Sequence, residues 1–164
     1  MMTAMIRFLR LATLLAILTH SVLATAAPLA VGDTVALPQL EDQHGRVFKL
    51  DPRARTLLFA ADKAASDLVT QAFDGLTAER FDALQLRYVA DISAMPALVT
   101  TLFALPALRA RPYPVGLVRD AALTAALPRE GGSVTVLHLE AGRVTAIDYA
   151  ITPSALQRAL GLSE

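Results

Sequence analysis

The chain has 164 residues, with 15 Lys+Arg balanced by 15 Asp+Glu. It contains no cysteine and no tryptophan, which excludes disulfides, thiolate chemistry and cysteine-ligated metal and leaves few aromatic platforms for bases or sugars. No block of like charge occurs, which argues against nucleic acid or anionic lipid as a partner.

Residues 1–26 follow the export pattern. Arg7 and Arg10 form a positive start, residues 11–18 are apolar except for Thr13, and Ala24-Thr25-Ala26 fits the small-x-small cleavage rule. The apolar run is only about half of the ~20 residues that a spanning helix needs, and His20 and Ser21 follow it. A signal cleaved before Ala27 is therefore expected over a retained anchor. Lipidation at this site would need a cysteine. The expected organisation is a signal at 1–26 and one domain at 27–164, periplasmic or secreted, with no membrane span left after cleavage. Both Arg7 and Arg10 leave with the signal, so thirteen basic and fifteen acidic residues remain, a net charge of −2. A chain of that length suits one hydrophobic core.

Val35-x-Leu37 and Val47-x-x-Leu50 flank Glu41-Asp42-Gln43-His44-Gly45-Arg46, a turn sequence, and predict a hairpin. Residues 56–61 are almost wholly apolar, as in a strand buried on both faces. Asp62 is placed to cap a helix in which Leu68, Val69, Ala72 and Phe73 share a face and which Gly75 ends. A short helix over 77–84 and a strand over 86–92 follow. Ser93 is positioned to cap a helix with Leu98, Leu102 and Leu105 on one face, which Pro106 disrupts. A brief strand at 115–118 and a helical turn at 121–127 come next. Residues 134–139 and 143–149 form a hairpin across Glu140-Ala141-Gly142. Thr152-Pro153 gives a cap and a first-turn proline for the last helix, which Gly161 stops. Leu58, Val89, Leu102 and Val136 are expected among the most buried residues, and strands 56–61 and 86–92 are expected to be parallel neighbours.

The order and several local phrases resemble the thioredoxin-like superfamily, in its AhpC/TSA or peroxiredoxin-like branch. Val31-Gly32-Asp33, Leu37-Pro38-Gln39-Leu40, Asp42-Gln43-His44-Gly45-Arg46 and Leu50 are similar to the entry of those domains. Residues 113–120 resemble a "fPllsD" phrase, and residues 134–147 resemble a "tfviD.dG.i" hairpin. The C-terminal half is also similar to the exported YtfJ-like family. The resemblance implies an α/β fold: a thioredoxin-like mixed β-sheet flanked by helices on both faces.

In the active family a nucleophilic cysteine sits between the first central strand and its helix. Asp62-Lys63-Ala64-Ala65-Ser66-Asp67 stands there instead. The resemblance therefore places a candidate pocket at Asp62, Lys63, Ser66 and Asp67, with Tyr113, Pro114 and Arg129 beside it. Thioredoxins also carry a cis-proline before the hairpin strand, where this chain has Gly131-Gly132-Ser133; Tyr113-Pro114 is the other candidate. From the residues alone, Ser66 with His44 or His138 and an aspartate spells a triad but lacks a nucleophile elbow. His44 reads as a turn residue. The histidines and carboxylates do not cluster for a metal, and no GxGxxG or P-loop occurs, so no metal or cofactor is expected. The functional expectation is a redox-inactive binding or accessory protein whose partner is another envelope protein. The enzyme alternative is non-thiol chemistry at residues 62–67.

Overall fold

The computed structural model describes residues 27–162. The export signal at 1–26 lies outside the described residues. The strands are β1 (Leu40–Asp42), β2 (Val47–Phe48), β3 (Thr56–Ala60), β4 (Leu86–Asp91), β5 (Val115–Val118), β6 (Val134–Glu140) and β7 (Arg143–Ala150). They form one sheet in the order β2-β1-β5-β4-β3-β6-β7. The centre is parallel, β3 against β4 and β4 against β5, and both sides are antiparallel.

The almost wholly apolar run of β3 explains its position. All five residues are buried, because the strand has covered faces on both sides and neighbours at both edges. Thr56 pairs with Leu86 on one side and His138 on the other. The expected parallel neighbours are therefore adjacent. Helix α1 (Lys63–Ala72) makes the crossover between them, and α2 (Ala78–Ala83) follows, capped by the Thr77 hydroxyl.

One face of the sheet carries α1, α2 and α4 (Pro153–Ala159). Leu58, Val136, Val69, Phe81 and Leu156 meet there in one buried cluster. Phe81 stacks on Tyr113 at 4.7 Å, and Phe73 meets both rings edge-on. The other face packs Leu57, Phe59, Val89 and Leu137 against Val35, Leu40, Phe48 and Leu127. Its helical cover is a single 3₁₀ turn, Ala121–Thr124; the lead-in segment around Leu29 and Leu37 supplies the rest.

Four details correct the sequence expectation. The first hairpin is built on Leu40–Asp42 rather than on residues 35–37; Thr34 instead makes an isolated bridge to Arg143. Ser93 does not cap the next helix, because its hydroxyl turns back to Asp91. That helix, α3, begins after Pro96 and runs through Pro106: Ala97–Val99 is α-helical, Thr100–Ala104 is π-helical and Leu105–Arg109 is α-helical. A proline in a regular α-helix lacks its N–H and clashes with the carbonyl four residues back. The widened turn, closed by the Leu105 amide on the Thr100 carbonyl, lets the helix pass. Leu102 is 57 % exposed rather than buried, whereas Leu58, Val89 and Val136 are fully buried. Thr100 is buried on the inner side of α3, and Leu105 and Leu108 pack inward with it.

Among the described residues no peptide bond is cis, so Tyr113–Pro114 is trans. No helix among them is long and apolar enough to cross a membrane.

Candidate functional site

In a parallel α/β sheet the ligand-binding position lies beyond the carboxyl ends of the strands. Here those ends are Ala60, Asp91 and Val118. Asp62 stands two residues past β3, at the N-cap of α1, in extended conformation. One of its carboxylate oxygens accepts from the Ala65 amide at 2.8 Å, which is the capping bond. The other accepts from the Gly132 amide at 2.8 Å, seventy residues away. Gly132 sits at φ +73° in the turn before β6, where a side chain would be strained. The Ser133 amide and hydroxyl both donate to the Glu130 carbonyl and fix that turn.

These bonds determine the chemistry of Asp62. The Ala65 amide, then the Gly132 amide, hold its carboxyl below the ordinary value, against an opposing effect of burial. It is ionised at neutral pH, and both oxygens are engaged. Such a carboxylate is a weak base and cannot donate a proton, so it suits neither role in general acid–base catalysis.

Arg129 lies on the opposite face of the sheet from α1. Its guanidinium sits 5.1 Å from the centroid of Phe59, donates to the Thr124 carbonyl at 2.7 Å and lies 3.7 Å from Asp91. The buried Asp91 carboxylate also accepts from the Ser93 amide at 2.9 Å and its hydroxyl at 2.6 Å. Arg129 therefore ties β3, β4 and the 3₁₀ turn together. Sequence reading missed Asp91; a lone aspartate at the end of an apolar strand, followed two residues on by serine, was its only signal.

Lys63 and Asp67 pair with each other at 2.6 Å on the exposed side of α1. Such a surface pair contributes only a few tenths of a kcal/mol. Ser66 lies beneath them, half-buried, beside the Tyr88 hydroxyl. Burial pushes Tyr88 up to about 12, partly offset by its hydrogen bond with Ser66. Tyr113 and Pro114 do not join this group. They precede β5, two residues and one residue before the point where Val115 pairs with Tyr88, and so lie toward the amino end of the sheet. Burial also raises the Tyr113 hydroxyl, which accepts from Arg111. The same arginine reaches Thr70 at the far end of α1. Pro114 is bracketed by a buried clamp: the Gln43 amide donates to the Tyr113 carbonyl and accepts from the Val115 amide, each at 2.8 Å.

The seven candidates thus fall into three places. Asp62, Lys63, Ser66 and Asp67 share the start of α1, Arg129 sits across the sheet, and Tyr113 and Pro114 lie toward its other end. The triad fails on the same ground. His138 pairs with Asp148 at 3.0 Å beside Thr56, at the opposite end of β3 from Ser66, and His44 is exposed in the first hairpin turn. Of the seven candidates, only Tyr113 lines one of the principal clefts of the described surface, a cleft of about 450 Å³ that it shares with Phe73, Thr77 and Pro112. Among the described residues no three His, Asp or Glu side chains are grouped to hold a metal.

Solved structures share this architecture. The peroxidoxin BcpB of Mycobacterium tuberculosis is 19 % identical with a TM-score of 0.54, over 80 % of this chain and 94 % of that one. The fold is thioredoxin-like. A thio-disulfide isomerase from Thermus thermophilus is 18 % identical with a TM-score of 0.51, over 82 % and 96 % of the two chains. A peroxiredoxin-like protein from Aquifex aeolicus is 8 % identical with a TM-score of 0.53, over 84 % and 89 %. No protein-family model and no curated protein sequence matches the chain. These thioredoxin-like neighbours carry redox names, but this chain has no thiol with which to perform thiol–disulfide chemistry.

Proposed function

We propose that the protein is an exported, redox-inactive binding or accessory module of the periplasm, related to the YtfJ-like proteins, whose partner is another envelope protein. The bond from the Gly132 amide to the Asp62 carboxylate carries this reading. The start of a helix attracts anions through its free amides and dipole. Here the chain supplies the anion itself and uses its second oxygen to fasten the facing turn. The position is spent on internal structure, with no open nucleophile. The export pattern of residues 1–26 supports the compartment. The outer face of α3, which is exposed and apolar, supports binding as the task.

The test is crosslinking in the intact periplasm with identification of the captured protein, followed by calorimetry with that protein purified. Binding should survive Lys63→Ala and Asp67→Asn. A substrate turnover that disappears with either replacement would overturn the binding reading in favour of non-thiol catalysis at residues 62–67.

A further inference from the structure

At the carboxyl end of β3 the chain fills the ligand position with its own Asp62. The ends of β4 and β5 differ. Just beyond them lies a cleft of about 190 Å³, lined among others by Ser93, Ala97, Thr100, Thr101 and Arg119. Thr100 is only 6 % exposed, yet its hydroxyl makes no hydrogen bond among the described residues. A threonine inside a helix commonly returns its hydroxyl to the carbonyl four residues back, as Thr70 does to Ser66 at 2.8 Å. Among the described residues no fully enclosed side-chain oxygen or nitrogen lacks a partner. The Thr100 oxygen is therefore not sealed in: it opens on the cleft that this residue lines. A hydroxyl so deeply placed is costly to leave unsatisfied.

We propose that this cleft binds a phosphate group, with Arg119 as its cation and the Thr100 hydroxyl as a buried donor. The inference stands apart from the envelope-partner reading. Arg119 is exposed and forms no ion pair among the described residues. A guanidinium matches phosphate oxygens with two parallel donors. The neighbouring carboxylates are engaged elsewhere: Asp91 is held by Ser93 and Arg129, and Asp120 accepts from the Ala122 amide. The start of α3 adds to the attraction. Pro96 stands at its N-cap and has no side-chain oxygen with which to cap it, whereas Asp62, Thr77 and Thr152 cap the other three helices. The first-turn amides of α3 thus remain without an internal anion. The volume also selects the ligand. It equals about six water molecules at ~30 Å³ each, room for a phosphoryl group, and is below the roughly 300 Å³ at which pockets for drug-sized ligands begin.

The test is titration of the exported protein with inorganic phosphate at constant ionic strength, followed by amide chemical shifts. Saturable shifts should gather at Ser93, Ala97, Thr100 and Arg119, with a dissociation constant on the order of 1 mM. Arg119→Gln should weaken binding by about tenfold or more, and the isosteric Thr100→Val by about threefold or more. Arg80→Gln, at an exposed arginine of α2, should leave binding unchanged. Glycerol phosphate then separates the two sources of the group. Binding about tenfold tighter than that of inorganic phosphate assigns the site to a phosphoryl group carried by a larger molecule; equal or weaker binding assigns it to the free ion. Shifts that do not saturate by about 50 mM overturn the proposal. So does binding indifferent to Thr100→Val, or weakened as much by Arg80→Gln as by Arg119→Gln.

Discussion

The Gly132 amide lies 2.8 Å from the carboxylate of Asp62, joining the start of α1 to the turn before β6. Asp62→Ala should remove both this bond and the helix cap, and lower unfolding free energy by about 1–2 kcal/mol. Urea denaturation measures the loss. Hydrogen exchange at Gly132 and Ala65 should accelerate together, because one side chain protects both amides. Acceleration at Ala65 alone would mean that the bridge contributes nothing.

The same carboxylate gives a pH dependence. Its folded pKa is lowered from 3.8 by the Ala65 and Gly132 amides. A lowered carboxylate pKa contributes stability that is fully present above the unfolded value and is lost as pH falls through the folded value. Asp42 adds to this acid sensitivity: burial opposes, but the Arg46 and His44 amides and the Arg46 guanidinium prevail and lower it. Melting temperature should hold above about pH 4 and fall below it. Asp62→Asn, which keeps an acceptor for the cap, should flatten part of that fall.

Leu58→Ala should cost about 2–5 kcal/mol, because the side chain is fully buried between the sheet and its helices. Leu102→Ala should cost less than about 0.5 kcal/mol to the isolated monomer. The comparison is made by chemical denaturation at a concentration below that of any self-association.

Gly116→Ala should destabilise by about 1–3 kcal/mol. A Cβ there would lie 2.6 Å from the Phe48 ring, and that ring is buried. Phe48→Leu should cost less in the Gly116→Ala background than alone, and a double-mutant cycle reads the coupling. Purely additive costs would show that the ring moves aside freely.

Thiol peroxidase and disulfide reductase assays should give no activity, and reductant should not change the melting temperature, since the chain has no cysteine. Turnover that survives removal of contaminants and adventitious metal would require a different nucleophile.

Local chemistry alone determined much of this molecule. The apolar run of β3, the caps Asp62, Thr77 and Thr152, and the Ala141-Gly142 turn at φ +49° and +79° each depend on neighbours within four residues, so the sequence specifies them. The loss of thiol chemistry was legible as well, because it follows from composition. What tertiary structure decided were relations across long separations. Asp62 and Gly132 have no sequence signal linking them, nor do Gln43 and the Tyr113 carbonyl. Arg129 looked like part of a pocket and became a brace over Phe59. The orientation of α3 was undecidable from its pattern: residues 92–108 are uncharged throughout, and hydrophobic periodicity selects an inward face only when the other face is polar. The π-turn and the sheet beneath it turned Thr100, Leu105 and Leu108 inward and left Leu98, Leu102 and Phe103 in solvent.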